Sequence, residues 1–266
     1  MSKVILITGA SSGIGKITAA YLHDKGFKVY GTSRNLQPDH GGFTYLQLDV
    51  LDIDSIQRAI DFIISEEGRL DVLINNAGMG ITGPIEETPT EEMRRVFETN
   101  FFGTIEVIKV VLPYMRKQNK GLIINVTSIA GYMGLPFRGI YSATKSALEV
   151  ATEAVSMEVK EFGIKVANVA PGDFATNIAA GRYHSPVLTG SPYADIYEHN
   201  LDLMNAHVNS GQDPMVMAQK IYRVINDPTP KLHYKVGEFM QKFSISLKRI
   251  LPDRLYEKLI MKYYGM

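Results

Sequence analysis

Short apolar runs alternate along the chain with longer segments in which apolar residues recur at helical spacing. The apolar runs lie at residues 4–7, 28–32, 44–48, 72–74, 122–126, 166–170 and, most weakly, 232–236. Strands that are buried on both faces have this continuous apolar character, and helices between them supply the crossovers that parallel strands need. The pattern therefore predicts an α/β fold with a parallel sheet of about seven strands flanked by helices.

Two predicted helices are preceded by residues that typically cap a helix N-terminus. Residues 52–66 have the clearest helical period, since isoleucines at positions 53, 56, 60 and 63 share one face and Asp52 can cap the first turn. Thr88 is followed by Pro89 and then by Glu91, which is the arrangement of a capping residue with proline at the first helical position. A helix is expected to begin after Thr88, and the helical region to continue to about residue 117.

Two regions interrupt the alternation. Residues 175–212 contain Gly or Pro at five positions around weakly periodic stretches. A long insertion of this kind in a compact domain is usually a lid or a disordered segment. We interpret 175–212 as a substrate lid within a domain that spans residues 1–236. Residues 237–266 are expected to form a C-terminal amphipathic helical extension. Its apolar residues are Phe239, Phe243, Leu247 and Ile250 on one face and Tyr256, Leu259, Ile260 and Tyr263 on a second.

The composition narrows the range of functions. The chain has 266 residues, with 28 Lys and Arg, 28 Asp and Glu, and no cysteine. The chain has no excess of basic over acidic residues, so no nucleic-acid partner is expected. Disulfides and thiolate chemistry are excluded. The six histidines show no HxxH or HExxH spacing, so no metal site is expected.

No targeting or membrane-spanning segment is expected. The apolar run at residues 4–7 is too short for the hydrophobic region of a signal peptide. No stretch approaches the roughly 18 apolar residues that a membrane helix requires. These observations predict a cytoplasmic protein.

A glycine-rich turn follows the first apolar run. Residues 8–15 read TGASSGIG, and an apolar-periodic helix begins there. Glycines let the backbone approach a pyrophosphate, and a helix N-terminus supplies free N–H groups and a favourable dipole. The spacing is GxxxGxG, not the commoner GxGxxG, so the motif alone could also be an ordinary strand-to-helix turn. Its position after the first strand favours nucleotide binding. The residues expected to bind the nucleotide are Gly9, Ser11, Ser12, Gly13, Ile14 and Gly15.

The end of the second strand indicates which nucleotide is bound. An acidic residue there would bond the ribose of NAD, whereas a basic residue would accept the 2′-phosphate of NADP. The chain reads GTSR at residues 31–34, with no acid. Arg34, assisted by the hydroxyl of Ser33, therefore predicts NADP(H). The alternative is that Arg34 is a solvated surface arginine.

Candidate catalytic residues follow the apolar run at 122–126. Ser128 comes just after this run, and Tyr141 and Lys145 are spaced to share one face of a helix. A phenol is protonated at neutral pH, and a neighbouring ammonium stabilises its phenolate, so such a pair can exchange a proton with a substrate. Tyr141 is predicted to be the general acid and Lys145 the cation that assists it. A YxxxK pair alone is common, and its alternative is a surface pair.

These motifs resemble those of the short-chain dehydrogenase/reductase family over residues 3–236. The matching residues are TGASSGIG at 8–15, Asp49, Asn75, Asn76, Ala77, Gly78, Asn100, Ser128, Tyr141, Lys145, Pro171, Gly172 and Thr176. The resemblance implies a Rossmann-type doubly wound sheet and an NADP(H)-dependent oxidoreductase. The chain departs from the pattern at Ser12, where some NADP-using members carry a basic residue. The NADP prediction therefore depends on Arg34 and on the missing acid.

The resemblance also implies site roles. The residues implied for the cofactor are Asp49 and Val50 at the adenine, Asn76, Ala77 and Gly78 after the fourth strand, Pro171 and Gly172, Thr176 at the nicotinamide carboxamide, and Tyr141 with Lys145. Ser128 and Tyr141 would hydrogen-bond the substrate carbonyl oxygen, and Tyr141 would supply the proton while hydride comes from NADPH. Asn100 would anchor a water that links Lys145 to solvent.

The substrate is expected to be a small hydrophobic carbonyl or alcohol, because apolar residues surround the site motifs. Arg138 and Arg182 are isolated in the sequence and are expected at the surface, so no arginine pair suggests a carboxylate substrate. The tail looks similar to extensions in retinol and 17β-hydroxysteroid dehydrogenase-like members, which suggests a steroid-, retinoid- or lipid-like substrate. The alternative function is an NADPH-binding redox sensor or scaffold without turnover.

The tail and the long helices suggest possible partners. The basic tail could contact an anionic membrane surface or cover the substrate entrance, but packing on the domain with solvated charges is favoured. By resemblance, a homodimer or homotetramer would pair through the helices near residues 91–117 and 141–162.

Overall fold

The computed structural model describes residues 2–35, 42–175, 181–209 and 211–266. The strands in this part of the chain are β1 (Val4–Ile7), β2 (Lys28–Ser33), β3 (Thr44–Gln47), β4 (Val72–Asn75), β5 (Ile81–Thr82), β6 (Gly121–Val126), β7 (Ile164–Pro171), β8 (Tyr183–His184) and β9 (His233–Val236). Seven of them form one sheet in the order β3-β2-β1-β4-β6-β7-β9, and every pairing is parallel. The predicted α/β fold with a seven-stranded parallel sheet is confirmed.

Helices cover both faces of this sheet. They are α1 (Gly13–Asp24), α2 (Ile53–Glu67), α3 (Thr90–Phe97), α4 (Gly103–Lys117), α5 (Gly139–Glu158), α6 (Ala194–Asn209), α7 (Met215–Asn226), α8 (Phe239–Ile250) and α9 (Asp253–Tyr263). Successive strand residues point to opposite faces, so Ile5 packs with α1 and α7, whereas Leu6 packs with α2 and α4. This double burial explains why the strands read as continuous apolar runs.

The order of the strands positions the site. β1 lies between β2 and β4, so the chain winds outward from β1 in one direction and from β4 in the other. A crevice forms at the carboxyl ends of the strands where the direction of winding reverses, and ligands of doubly wound sheets bind there. The TGASSGIG turn follows β1 at this point.

The two predicted helix starts have different outcomes. Asp52 caps α2, since its Oδ1 accepts hydrogen bonds from the backbone N–H groups of Asp54 (3.0 Å) and Ser55 (3.2 Å). The predicted cap at Thr88 is wrong, because its hydroxyl donates to the carbonyl of Pro84 (2.6 Å) and α3 begins at Thr90. The helical region does continue to Lys117, through a π-helical turn at Glu98–Phe102 that joins α3 to α4.

Residues 181–209 pack against the loop that follows β4. β8 pairs in parallel with β5, which places Tyr183 opposite Ile81. Tyr197 of α6 is 1% exposed, and its hydroxyl donates to the carbonyl of Thr82 (3.0 Å). These contacts fix β8 and α6 to the β5 segment.

The C-terminal residues form α8 and α9, and only part of each predicted apolar face packs on the domain. Ile245 is buried, and with Tyr256 it packs against Ile129 and Met133. Leu247 and Ile260 lie at the edge of this cluster, whereas Phe239 and Ile250 are 72% and 77% exposed. The face of α8 that contains Ile245 packs because Ile129 and Met133 lie against it. The sequence pattern of α8 alone does not show where those two residues lie.

None of the described helices is both long and apolar enough to cross a membrane.

Candidate active site

The glycine turn brings the backbone of three segments into contact. Gly9 has a φ of +68°, and a Cβ atom on it would lie 2.8 Å from Cα of Ala77. A Cβ atom on Gly15 would overlap the carbonyl oxygen of Gly9. Ser12 precedes α1 without capping it by its side chain, and the first turn of α1 holds no acidic residue. The positive end of the α1 dipole is therefore available to a phosphate.

The segment after β4 braces this turn. The side-chain amide of Asn76 donates to the carbonyls of Thr8 (3.0 Å) and Gly9 (2.9 Å). The backbone N–H of Ala77 donates to the hydroxyl of Thr8 (3.0 Å). Asn76 and Ala77, two of the residues expected to support the cofactor, are thus in contact with the turn. The turn suits a dinucleotide pyrophosphate, because the glycines of the turn leave room for the phosphates and its backbone N–H groups can donate to them.

Arg34 and Ser33 lie at the end of β2, at the predicted adenine end. The side chain of Arg34 is exposed, and its backbone carbonyl accepts a hydrogen bond from Nε2 of Gln47 (3.1 Å). The Ser33 hydroxyl is buried and donates within the same loop to the carbonyl of Asn35. Arg34 therefore carries the exposed positive charge at this edge.

Asp49 and Val50 follow β3. Asp49 is half-buried, and its Oδ1 accepts from the backbone N–H of Leu51 (3.0 Å). Val50 is buried and packs against Gly103. Both residues lie on the same edge of the sheet as the glycine turn.

Tyr141 and Lys145 occupy successive turns of α5. Nζ of Lys145 donates to the carbonyl of Val126 at the end of β6 (3.0 Å), and the residue is 5% exposed. Burial lowers the pKa of Lys145, and the nearby Tyr141 and Glu149 act in the opposite direction. Oγ of Ser128 accepts from the backbone N–H of Ala130 (3.1 Å), which leaves its own proton available to a ligand.

Asn100 lies in the π-helical turn, completely buried beside Lys145. Its Oδ1 accepts from the N–H of Met79 (2.8 Å), and its Nδ2 donates to the carbonyl of Met79 (2.9 Å) and the hydroxyl of Thr144 (3.1 Å). Gly78 lies close to both Asn100 and Lys145. A π-helical turn often marks a functional site, but no sequence signal predicted this one.

One cleft joins these elements. Its lining includes Ile14 of α1, Ser128, Tyr141, Pro171 and Gly172. Residues predicted to bind the cofactor and residues predicted to be catalytic therefore share a single cavity wall. Thr176, predicted to hold the nicotinamide carboxamide, lies outside the described residues.

Two arginines that were expected to be isolated surface residues also line this cleft, so that expectation is wrong. The Arg138 guanidinium lies 5.6 Å from the ring centroid of Tyr141. Burial lowers the pKa of Arg182, and the charge of Arg138 lowers it further. Nη1 of Arg182 is buried and finds no hydrogen-bond partner in the described part of the chain. The two residues lie far apart in sequence, so no spacing could have predicted their meeting.

The C-terminal helices reach the same cleft. Nε2 of Gln241 in α8 donates to Oδ2 of Asp173 (2.8 Å), and Asp173 is itself a lining residue. Tyr264, just after α9, is 5% exposed and hydrogen-bonds Arg138. Sequence analysis missed Asp173, Gln241 and Tyr264, because their roles depend on where the tail docks.

Comparison with known proteins identifies the family of this chain. Residues 3–186 match the family model described as short chain dehydrogenase. The chain belongs to this family. It is therefore an oxidoreductase that acts on CH–OH and C=O groups, as the resemblance of its motifs implied.

Two curated relatives illustrate the range of this dehydrogenase family. A 3-ketodihydrosphingosine reductase of Bacteroides thetaiotaomicron is 43% identical over 266 residues, covering 99% of this chain and 98% of the relative. Human retinol dehydrogenase 8 is 33% identical over 251 residues, covering 86% of this chain and 80% of the relative.

Solved structures share the fold of this dehydrogenase. A crystal structure of a short-chain dehydrogenase from Streptomyces avermitilis has a TM-score of 0.81 at 32% identity, covering 97% of both chains. ElxO with NADP bound has a TM-score of 0.71 at 29% identity, covering 89% of this chain and 96% of ElxO. The family and its cofactor-bound members support a nicotinamide cofactor for this protein.

Proposed function

We propose that this dehydrogenase uses NADPH to reduce the ketone of a long-chain, lipid-like substrate of the 3-ketodihydrosphingosine class. The observation that carries the proposal is the 43% identity to a 3-ketodihydrosphingosine reductase over 99% of this chain. The cleft supports the oxidoreductase part of the proposal, since Ser128 and Tyr141 both line it and Lys145 lies one turn beyond Tyr141 on α5.

In this mechanism, Ser128 and Tyr141 hydrogen-bond the substrate carbonyl oxygen. When NADPH is bound, it supplies the hydride that reaches the carbonyl carbon. Tyr141 then donates its proton to the developing alkoxide, which is general acid catalysis. Lys145 stabilises the resulting phenolate electrostatically. Asn100 lies beside Lys145, where it can anchor the water that returns a proton to the pair.

The preference for NADPH is proposed on the charge at the end of β2. Arg34 is the exposed cation at this edge, and no described acidic side chain forms an ion pair with it. A guanidinium can hold a phosphate through two parallel hydrogen bonds, so Arg34 suits a 2′-phosphate. Asp49 and Val50, on the same edge of the sheet, are proposed to border the adenine.

The polar residues of the cleft suit a polar head group beside the ketone. 3-Ketodihydrosphingosine carries an amino group and a hydroxyl group next to its carbonyl. Asp173 offers a carboxylate for an ammonium, and Arg182 offers an unpartnered donor for an oxygen. Arg182 lines the cleft, and Gln241 and Tyr264 contact its lining residues Asp173 and Arg138. We therefore propose that residues 175–212 act as a lid and that residues 237–266 cover the substrate entrance.

The protein is proposed to act as a homodimer or homotetramer through α4 and α5. Val150 and Met157 on α5 are 63% and 71% exposed, and Phe102 before α4 is 50% exposed. Apolar side chains in this position suit burial against a second copy. Light scattering on the purified protein measures the assembly directly.

The test is turnover of 3-ketodihydrosphingosine with NADPH, followed by the absorbance of the reduced cofactor. Tyr141→Phe should lower kcat by about 100-fold or more while leaving the Kd for NADPH little changed, because the variant loses the hydroxyl that donates the proton and keeps the ring. Retinal, a ketosteroid and a short neutral ketone serve as comparison substrates. Tight NADPH binding without turnover of any of them would overturn the proposal and favour a redox sensor or scaffold.

A further inference from the structure

A buried carboxylate lies one helical turn beyond Lys145, and none of the roles assigned so far uses it. Tyr141, Lys145, Glu149 and Glu153 are spaced four residues apart on α5, so they form a row along one side of the helix. Glu149 is 5% exposed. A buried carboxylate is costly unless other groups satisfy its charge.

Four donors converge on Glu149. Its Oε2 accepts from the hydroxyl of Tyr132 (3.0 Å), Nδ2 of Asn168 (3.0 Å) and Nδ1 of His233 (2.8 Å). Its Oε1 accepts from the hydroxyl of Thr127. These four donors satisfy the buried carboxylate of Glu149, one turn of α5 beyond Lys145.

This negative charge acts on Lys145. Burial lowers the pKa of Lys145, whereas the charges of Tyr141 and Glu149 raise it. A buried ammonium needs a counter-charge to keep its proton. Glu149 is the described carboxylate nearest along the helix that can supply one, and it lies on the side away from the cleft.

His233 connects Glu149 to the protein surface. Its side chain is 30% exposed, and its Nε2 lies 3.2 Å from Oε1 of Glu153. An imidazolium can donate to both carboxylates, whereas a neutral imidazole can donate to one. The charged and titratable groups that face this cluster are Tyr141, Lys145 and Glu153 on α5, Tyr132 after β6, His233 and Lys235 on β9, and Arg249 on α8.

We propose that Glu149 is a positioning residue whose negative charge holds the proton on the Tyr141–Lys145 pair, with His233 linking it to solvent. Reduction consumes a proton from this pair, so Glu149 keeps the pair in its proton-donating form. The inference rests on the proposed function. Removing a nearby negative charge makes proton loss easier from either Tyr141 or Lys145. The pH at which the pair loses its proton should therefore fall, whichever group titrates first.

Glu149→Gln is the variant that removes the charge and keeps the shape. The amide oxygen can stay with Tyr132, Asn168 and His233, and the amide nitrogen then faces the Thr127 hydroxyl, which can accept. The measurement is kcat/KM for ketone reduction against pH. The pH at which activity falls on the alkaline side should decrease by about one unit.

Glu153→Gln is the matched control. It removes the same charge one turn farther from Lys145, at a side chain that is 50% exposed. In this variant, the pH at which activity falls on the alkaline side should decrease by less than roughly a third of the decrease in Glu149→Gln, since solvent screens an exposed charge. The proposal is overturned if Glu149→Gln has an unchanged melting temperature and its activity falls at the same alkaline pH as that of the wild type. Equal shifts in the two variants would also overturn it.

A second readout does not require turnover. Tyrosine labelled with ¹³C at Cζ reports ionisation of Tyr141 by NMR, and Tyr141→Phe assigns its signal. The first titration step seen at Tyr141 should move to lower pH in Glu149→Gln, and an unmoved step would contradict the inference. If the wild-type protein reduces no ketone, the proposed function fails, while this titration still decides the role of Glu149.

Discussion

The cofactor end and the substrate end of the crevice are built in different ways. At the cofactor end, backbone atoms of neighbouring segments meet because Gly9 and Gly15 have no side chains. At the substrate end, side chains from distant parts of the chain meet, as Arg138, Arg182 and Tyr264 do. Adding an atom at a glycine should therefore weaken cofactor binding, whereas truncating a side chain at the substrate end should weaken substrate binding.

The largest effect is expected from adding one methyl group at the cofactor end. In Gly15→Ala, the new Cβ would overlap the carbonyl of Gly9 and crowd the amide of Asn76, so the turn must shift. A displacement of this kind should weaken NADPH binding by about 100-fold. A fluorescence titration with NADPH measures the Kd.

Gly134→Ala is the control for this change, because a Cβ there meets nothing within 4 Å. It should leave the Kd unchanged. A folded Gly15→Ala protein that binds NADPH as tightly as the wild type would show that close backbone approach does not build the cofactor end.

A smaller effect is expected where the cofactor end depends on a side chain. Arg34→Ala removes the exposed cation at the end of β2, and a charged hydrogen bond contributes about 1.5 to 3 kcal/mol. NADPH should bind about 10- to 100-fold more weakly. NADH has no 2′-phosphate and is the matched control. If the wild type binds NADH and NADPH equally, the argument from Arg34 fails.

The smallest effect is expected at the substrate end. Tyr264→Ala removes a buried ring and its hydrogen bond to Arg138, so KM for a long-chain ketone should rise by about 10-fold. Tyr264→Phe, which removes only the hydrogen bond, should raise KM by less. Steady-state kinetics with saturating NADPH measure both values, and the Kd for NADPH should not change.

Tyr263→Ala provides the neighbouring comparison, since Tyr263 is 59% exposed. It should change KM little. Equal changes at the two positions, or a loss of NADPH binding in Tyr264→Ala, would show that the tail supports the whole fold and does not serve the substrate end.

Much of the sheet and part of the site could be predicted from the sequence. The seven main strands lie where continuous apolar runs occur, because a strand covered by helices on both faces has few polar positions. Asp52 was recognised as a cap because a cap is a local interaction within one turn. The motif of Asn76 indicates a residue that supports the cofactor, and in the structure Asn76 contacts Thr8 and Gly9 of the glycine turn.

Other features depend on partners that are distant in sequence. β5 and β8 contain two residues each, which is too short for a periodic pattern. The buried face of α8 contains Ile245 because Ile129 and Met133 lie beneath it. The four donors around Glu149 come from the residue after β6, from β7 and β9, and from the turn after Ser128, so no local spacing reveals the cluster.

The sequence by itself determined the parallel sheet, the glycine turn at the end of β1 and the Tyr141–Lys145 pair, because each depends on residues within one strand, turn or helix. Only the tertiary structure decided which face of α8 packs, that Arg138 and Arg182 share a cleft with Tyr141, and that Glu149 is buried within reach of His233. Those contacts join segments that the chain brings together only by folding, so the energy of each depends on positions that no single segment specifies.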